Sequence, residues 1–73
     1  MDRSLLKKIL DERGIPKNYY NLDMKGEVDQ KVCLVYEAPD WLVYYSEKGK
    51  KFDITKFKSE DDACYDVLKR LTE

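Results

Sequence analysis

The chain has 73 residues, 42% of them hydrophobic, 12% aromatic and 40% charged, and its 14 basic and 15 acidic side chains leave a net charge of −1. So short a chain makes one domain, residues 1–73, with a thin core that buries only about 60% of its unfolded surface. Near-balanced charge at this hydrophobic content excludes a disordered tail, and the missing basic excess argues against a dedicated nucleic-acid binder.

The N-terminus, Met1-Asp2-Arg3-Ser4-Leu5, opens a charged amphipathic segment and has no apolar leader region. Apolar runs elsewhere are a handful of residues, far short of a membrane span. The expectation is a cytoplasmic protein with no membrane contact.

Leu5, Leu6, Ile9 and Leu10 form one helical stripe, with Asp2 or Ser4 available as the cap. Arg13-Gly14-Ile15-Pro16 then stops the helix: Gly14 suits the left-handed position, Ile15 folds back, and Pro16 cannot continue. The first helix is expected over about 3–13. Residues 17–30 read as loop, with Tyr19, Tyr20 and Leu22 offering a short edge strand and Asp23-Met24-Lys25-Gly26-Glu27 a turn.

Three strands follow. Lys31 to Glu37 is the first, and Ala38-Pro39-Asp40 is turn chemistry. Trp41 to Ser46 is the second, and Glu47-Lys48-Gly49 fits a three-residue hairpin loop. Lys51 to Phe57 is the third. Ser59 then caps a second helix, expected over about 60–72, whose first turn holds Glu60, Asp61 and Asp62 against the positive end of the dipole. Ala63, Cys64, Val67, Leu68 and Leu71 form its apolar stripe. The predicted fold is α+β: an antiparallel meander of three strands, with room for a fourth near Tyr19, and two helices on one face in the order α-β-β-β-α.

The central strand is apolar on both sides, Trp41, Val43 and Tyr45 against Leu42 and Tyr44. Three-residue loops put Val32, Leu34, Tyr36, Leu42, Tyr44, Phe52 and Ile54 together as the core face. They leave Cys33, Val35, Trp41, Val43 and Tyr45 on the other face. A two-residue turn at Lys48-Gly49 would move Phe52 and Ile54 to the Trp41 side, since a one-residue slip reverses a face. Two readings of the leftover set stand. Residues 15–30 wrap over it, or it is a partner surface, because Trp and Tyr dominate interface hot spots.

With no histidine, the Ser-His and Cys-His pairs and the commonest general base are excluded. The three glycines are isolated, so no phosphate loop exists. Cys33 and Cys64 lack metal-ligand spacing and read as buried thiols rather than a disulfide. The expectation is therefore a protein that is not an enzyme and carries no cofactor or metal. Lys48, Lys50, Lys51, Lys56 and Lys58 around the second hairpin read either as edge protection or as steering of a partner. The acidic helix start reads as capping or as a phosphate mimic. It also disfavours a double-stranded-RNA-binding domain of the same element order, which places basic residues there.

Val43-Tyr44-Tyr45-Ser46-Glu47-Lys48-Gly49, followed by Phe57-x-Ser59-Glu60-x-x-Ala63-Cys64, resembles the small bacterial immunity proteins of polymorphic toxin systems. Arg13-Gly14-Ile15-Pro16 and Tyr20-x-Leu22 extend the resemblance along the chain. It implies a binder that neutralises a cognate toxin domain by stoichiometric occlusion. The expected contact residues are Trp41, Val43 and Tyr45 with Lys48 and Lys51 at the rim, and second Glu60, Asp61 and Asp62. A homodimeric structural domain is the alternative reading, and an α-β-β-β-α nucleic-acid module a weaker one.

Overall fold

In the computed structural model, which describes residues 1–73, the first amphipathic stretch is helix α1 (Arg3–Glu12). Asp2 caps it, its carboxylate accepting the Leu5 N–H at 2.9 Å. At the other end Gly14 takes φ 73°, its N–H donating to the Asp11 carbonyl and that of Ile15 to the Leu10 carbonyl. This paired closure folds Ile15 back onto the core, as the Gly-Ile-Pro signal requires. Leu6 and Leu10 are buried, whereas Leu5, expected in the stripe, is exposed.

A single 3-10 turn (Lys17–Tyr19) leads into strand β1 (Tyr20–Asn21). Strands β2 (Lys31–Glu37), β3 (Asp40–Glu47) and β4 (Lys50–Phe57) follow, then helix α2 (Glu60–Thr72). The sheet order is β1-β2-β3-β4. The fold is thus α+β with four strands, the fourth being the short one foreseen near Tyr19. β2 to β4 form an antiparallel meander, but β1 pairs parallel to β2, Tyr20 opposite Val32 and Asn21 opposite Cys33.

The register differs from the expected one. Glu37 pairs with Asp40, so the first turn is Ala38-Pro39 alone, with that peptide bond cis. Asp40 belongs to the strand and not to the loop. Tyr36 then lies opposite Trp41, Leu34 opposite Val43, and Val32 opposite Tyr45. Directly paired residues share a face. Trp41, Val43 and Tyr45 therefore face the helices, and Leu42 and Tyr44 take the other side with Cys33 and Val35. The second turn is also two residues, Lys48 and Gly49, both at positive φ, as in the mirror-image turn that matches strand twist.

The main core joins Leu6, Leu10, Tyr20, Leu22, Val32, Leu34, Val43, and Ala63, Cys64 and Val67 of α2. A second, smaller cluster on the other face holds Cys33, Leu42 and Tyr44, with Val28 and Val35 against it. Val28 lies in the connection 22–30, which a parallel β1–β2 pair forces to travel back along the sheet. Met24 of the same connection receives a hydrogen bond from the Tyr44 hydroxyl at 3.6 Å. So residues 22–30 cover part of the second face, over Tyr44 rather than Trp41.

Asn21 holds that connection in place. Its amide nitrogen donates to the carbonyls of Lys25 and Glu27, and its oxygen accepts the N–H groups of Asp23 and Met24. The side chain is buried and its hydrogen-bonding capacity is used.

The register yields a paired test. Val43→Ala should cost about 2–3 kcal/mol in urea unfolding, from lost burial and a residual cavity. Ile54→Lys should shift stability by no more than about 0.5 kcal/mol, as at ordinary surface positions. The reverse order would restore the three-residue turn. Separately, Asn21→Ala should cost about 2 kcal/mol and speed hydrogen exchange at the Met24 amide, because loop donors and acceptors lose their shared partner.

Candidate functional site

β4 is the long free edge of the sheet. Most of its side chains are exposed, including Lys50, Lys51 and Lys56, and two large apolar ones stand among them: Phe52 at 44% and Ile54 at 55% exposure. Both were expected in the core. Phe52 lies opposite Tyr45 on the helix side but beyond helical cover. Ile54 sits in a bulge, where Asp53 and Ile54 oppose the single residue Tyr44 and Asp53 takes φ 53°. The bulge interrupts the regular ladder, a device that limits edge pairing, as do the lysines. Arg70 of α2 donates to the Asp53 carbonyl at 2.6 Å and to the Thr55 hydroxyl at 3.1 Å, tying the bulge to the helix layer. Lys51, opposite Ser46, stands on the second face, its ammonium 5.0 Å from the centre of the Tyr44 ring.

The structure separates the residues singled out from the sequence. Val43 is 0% exposed under the helices and offers no surface to a partner. Tyr45 is half-buried beside the same core. Trp41 is half-buried too, its ring 4.7 Å from Tyr36 and 5.2 Å from the Arg3 guanidinium. The expected leftover aromatic face is therefore the inner one. Lys48 and Lys51 are exposed around the second hairpin, with the Lys48 N–H donating to the Asp29 carboxylate.

Glu60, Asp61 and Asp62 lie at the other end of β4, a strand length of roughly 23 Å at 3.3 Å per residue. There Glu60 accepts the backbone N–H of Arg3 at 3.0 Å and its Nε at 3.2 Å. Asp61 pairs with the Met1 amine. The Ser59 hydroxyl caps α2 by accepting the Asp62 N–H at 3.1 Å. Two of the three acids are thus occupied within the fold. Arg3, missed in the sequence, links four places: its Nη1 donates to the Leu22 carbonyl at 3.3 Å, in addition to Glu60, Trp41 and its own helix. Nothing local distinguishes it from any surface basic residue.

Both cysteines are free and wholly buried, Cys33 in the second-face cluster and Cys64 in the helix-side core. Burial pushes the Cys64 thiol up to about 11, and the Glu60 carboxylate adds to the rise. Burial likewise raises Cys33, although hydrogen bonding with Tyr44 acts against it, and raises Tyr20 and Tyr44. Such groups are poor nucleophiles at neutral pH. No three acidic, thiol or imidazole side chains come together as a cation site. The exposed groups of β4 form an apolar and cationic edge around Phe52, Ile54, Lys51 and Lys56. No family model, curated protein or solved structure matches the chain.

The raised thiols and phenols set the alkaline limit. Their folded-state values lie above their unfolded ones, so the folded chain holds protons that the unfolded chain releases. The Cys64 contribution is fully present below about 9, its ordinary value, and is lost as pH rises towards 11. The thermal midpoint should therefore fall over that interval, less steeply in Cys64→Ala. Ellman's reagent should find neither thiol in the native protein at neutral pH and both in urea.

Proposed function

We propose that this protein acts by binding, as an immunity-type inhibitor that occludes a cognate toxin domain in the cytoplasm of the cell that makes it. The resemblance of the hairpin and second-helix motifs to immunity proteins supports the toxin partner. The single observation that carries a binding role is β4, an eight-residue edge strand with Phe52 and Ile54 exposed among lysines. Large exposed apolar side chains rimmed by charge mark contact surfaces more often than a scattered single one does. The proposed contact set is Phe52 and Ile54, with Lys48, Lys51 and Lys56 around them. Their charge suits an acidic surface on the partner and would speed its capture.

Self-pairing through β4 is the competing use of the same edge. In an antiparallel pair of identical edges, lysine-rich strands meet lysine-rich strands, and directly opposed like charges are destabilising. That argument favours a different, acidic partner over a second copy.

Co-expression with the product of the adjacent gene, followed by gel filtration, should give one peak containing both chains in equal amount, and the cells should survive. Ile54→Asp and Lys51→Glu should each weaken the complex by about 1.4–3 kcal/mol, tenfold or more in Kd, without unfolding the free protein. Absence of both complex and rescue rejects the toxin reading. A concentration-dependent dimer in sedimentation, abolished by Ile54→Asp, would favour self-association instead.

A further inference from the structure

At the opposite edge of the sheet, beside β1, four lysines line one cleft of about 190 Å³: Lys7 of α1, Lys17 of the 3-10 turn, Lys25 of the connection and Lys31 of β2. They come from four separate segments, so no helical or strand repeat accounts for their meeting. The ion pairs of the protein involve Met1, Arg3 and Arg70, so none of these lysines has a carboxylate oxygen within 4.0 Å. Asp23 is the one acid in the wall, and its Oδ1 accepts the Lys25 backbone N–H at 2.9 Å. Four of the lining side chains are lysines and one is acidic, with Asp11 of α1 also near enough to act on the Tyr20 hydroxyl. Tyr20 shares the wall, and its buried hydroxyl has no hydrogen-bond partner. The Asn21 amide, by contrast, is spent on the connection.

Lysine on a sheet edge deters pairing with other strands. β1 is two residues long and presents little edge to protect. A surplus of lysines over acids in the wall raises the positive potential of the cleft, which draws anions.

We infer that this cleft binds a small oligophosphate, of the pyrophosphate or triphosphate class. Each lysine meets phosphate as a point charge with three donors on a flexible stem, so several can share the oxygens of linked phosphates. Several lysines in one wall suit the many oxygens of a short phosphate chain better than a single carboxylate. A cleft of about 190 Å³ lies below the ≈ 300–1,000 Å³ of pockets that enclose drug-sized ligands, so it holds phosphates and leaves any attached nucleoside outside. The site is independent of partner docking, which uses the other edge of the sheet.

Titration of the ¹⁵N-labelled protein with sodium triphosphate at constant ionic strength tests the inference. Saturable shifts are expected at the amides of residues 17–25 and of Lys31, with sodium sulfate binding more weakly. Lys17→Gln and Lys25→Gln should each raise the dissociation constant about two- to fivefold, the range of an exposed charge contact. Lys69→Gln, on the exposed face of α2, should leave it unchanged. ATP should bind no more tightly than triphosphate. The inference is overturned by the absence of saturable shifts at millimolar triphosphate, by shifts spread equally over all lysines, or by indifference to both cleft variants. ATP binding far more tightly than triphosphate also overturns it, since the nucleoside would then be the recognised group.

Discussion

The pairing of Glu37 with Asp40 across a two-residue turn governs which side chains the sheet turns towards its helices. It places Val32, Leu34 and Val43 in the middle of the covered face, beneath Ala63, Cys64 and Val67 of α2. Small and medium side chains on both layers let helix and sheet approach closely, and close packing is what gives so small a core its stability. The bulky residues of the same strand, Trp41 and Tyr45, fall to either side of this strip. Trp41 then meets Tyr36 and Arg3 at the rim, where a large ring with a polar edge is accommodated without displacing the helices.

The same register leaves Cys33, Leu42 and Tyr44 facing away from the helices, and the chain has no third helix to cover them. The parallel pairing of β1 solves part of this. A chain that leaves β1 and re-enters beside it in the same direction must first travel back along the sheet, and residues 22–30 do so over Tyr44. Asn21 makes that route definite by saturating its amide with four backbone groups of the connection. On the helix side, cover likewise stops short of Phe52, and Ile54 in the bulge also remains exposed.

Charge is divided by role. Arg3 and Arg70 work inside the fold, Arg3 joining the starts of both helices to Leu22 and Trp41, Arg70 joining α2 to the β4 bulge. Glu60 and Asp61 are drawn into the same stitching, each paired with a cation at the start of the chain. Most of the lysines stay outside, at the two edges of the sheet, with Lys8 and Lys69 on the helices. A chain with a net charge of −1 thus presents cationic edges, a contrast invisible in the overall balance.

The elements themselves were legible in the chain. Both helices, the Ser59 cap, the Gly14-Ile15 closure and the strand segments follow from local spacing and local hydrogen bonding, with Asp2 rather than Ser4 taking the first cap. Those signals act within a few residues and need no tertiary context. The short β1 was also visible as an apolar stretch around Tyr20, though not its parallel partner. Register, by contrast, rested on whether Asp40 and Glu47 joined strands or loops. With apolar residues on both sides of β3, either choice buried a plausible set, so hydrophobic pattern had no power to decide. The roles of Arg3, Asn21 and the lysine cleft depend on contacts between distant segments, which carry no local signature. What the sequence determined alone was the order and kind of its elements; which face became the core, and therefore which surface is free to meet a partner, was decided only when turns and packing selected one register.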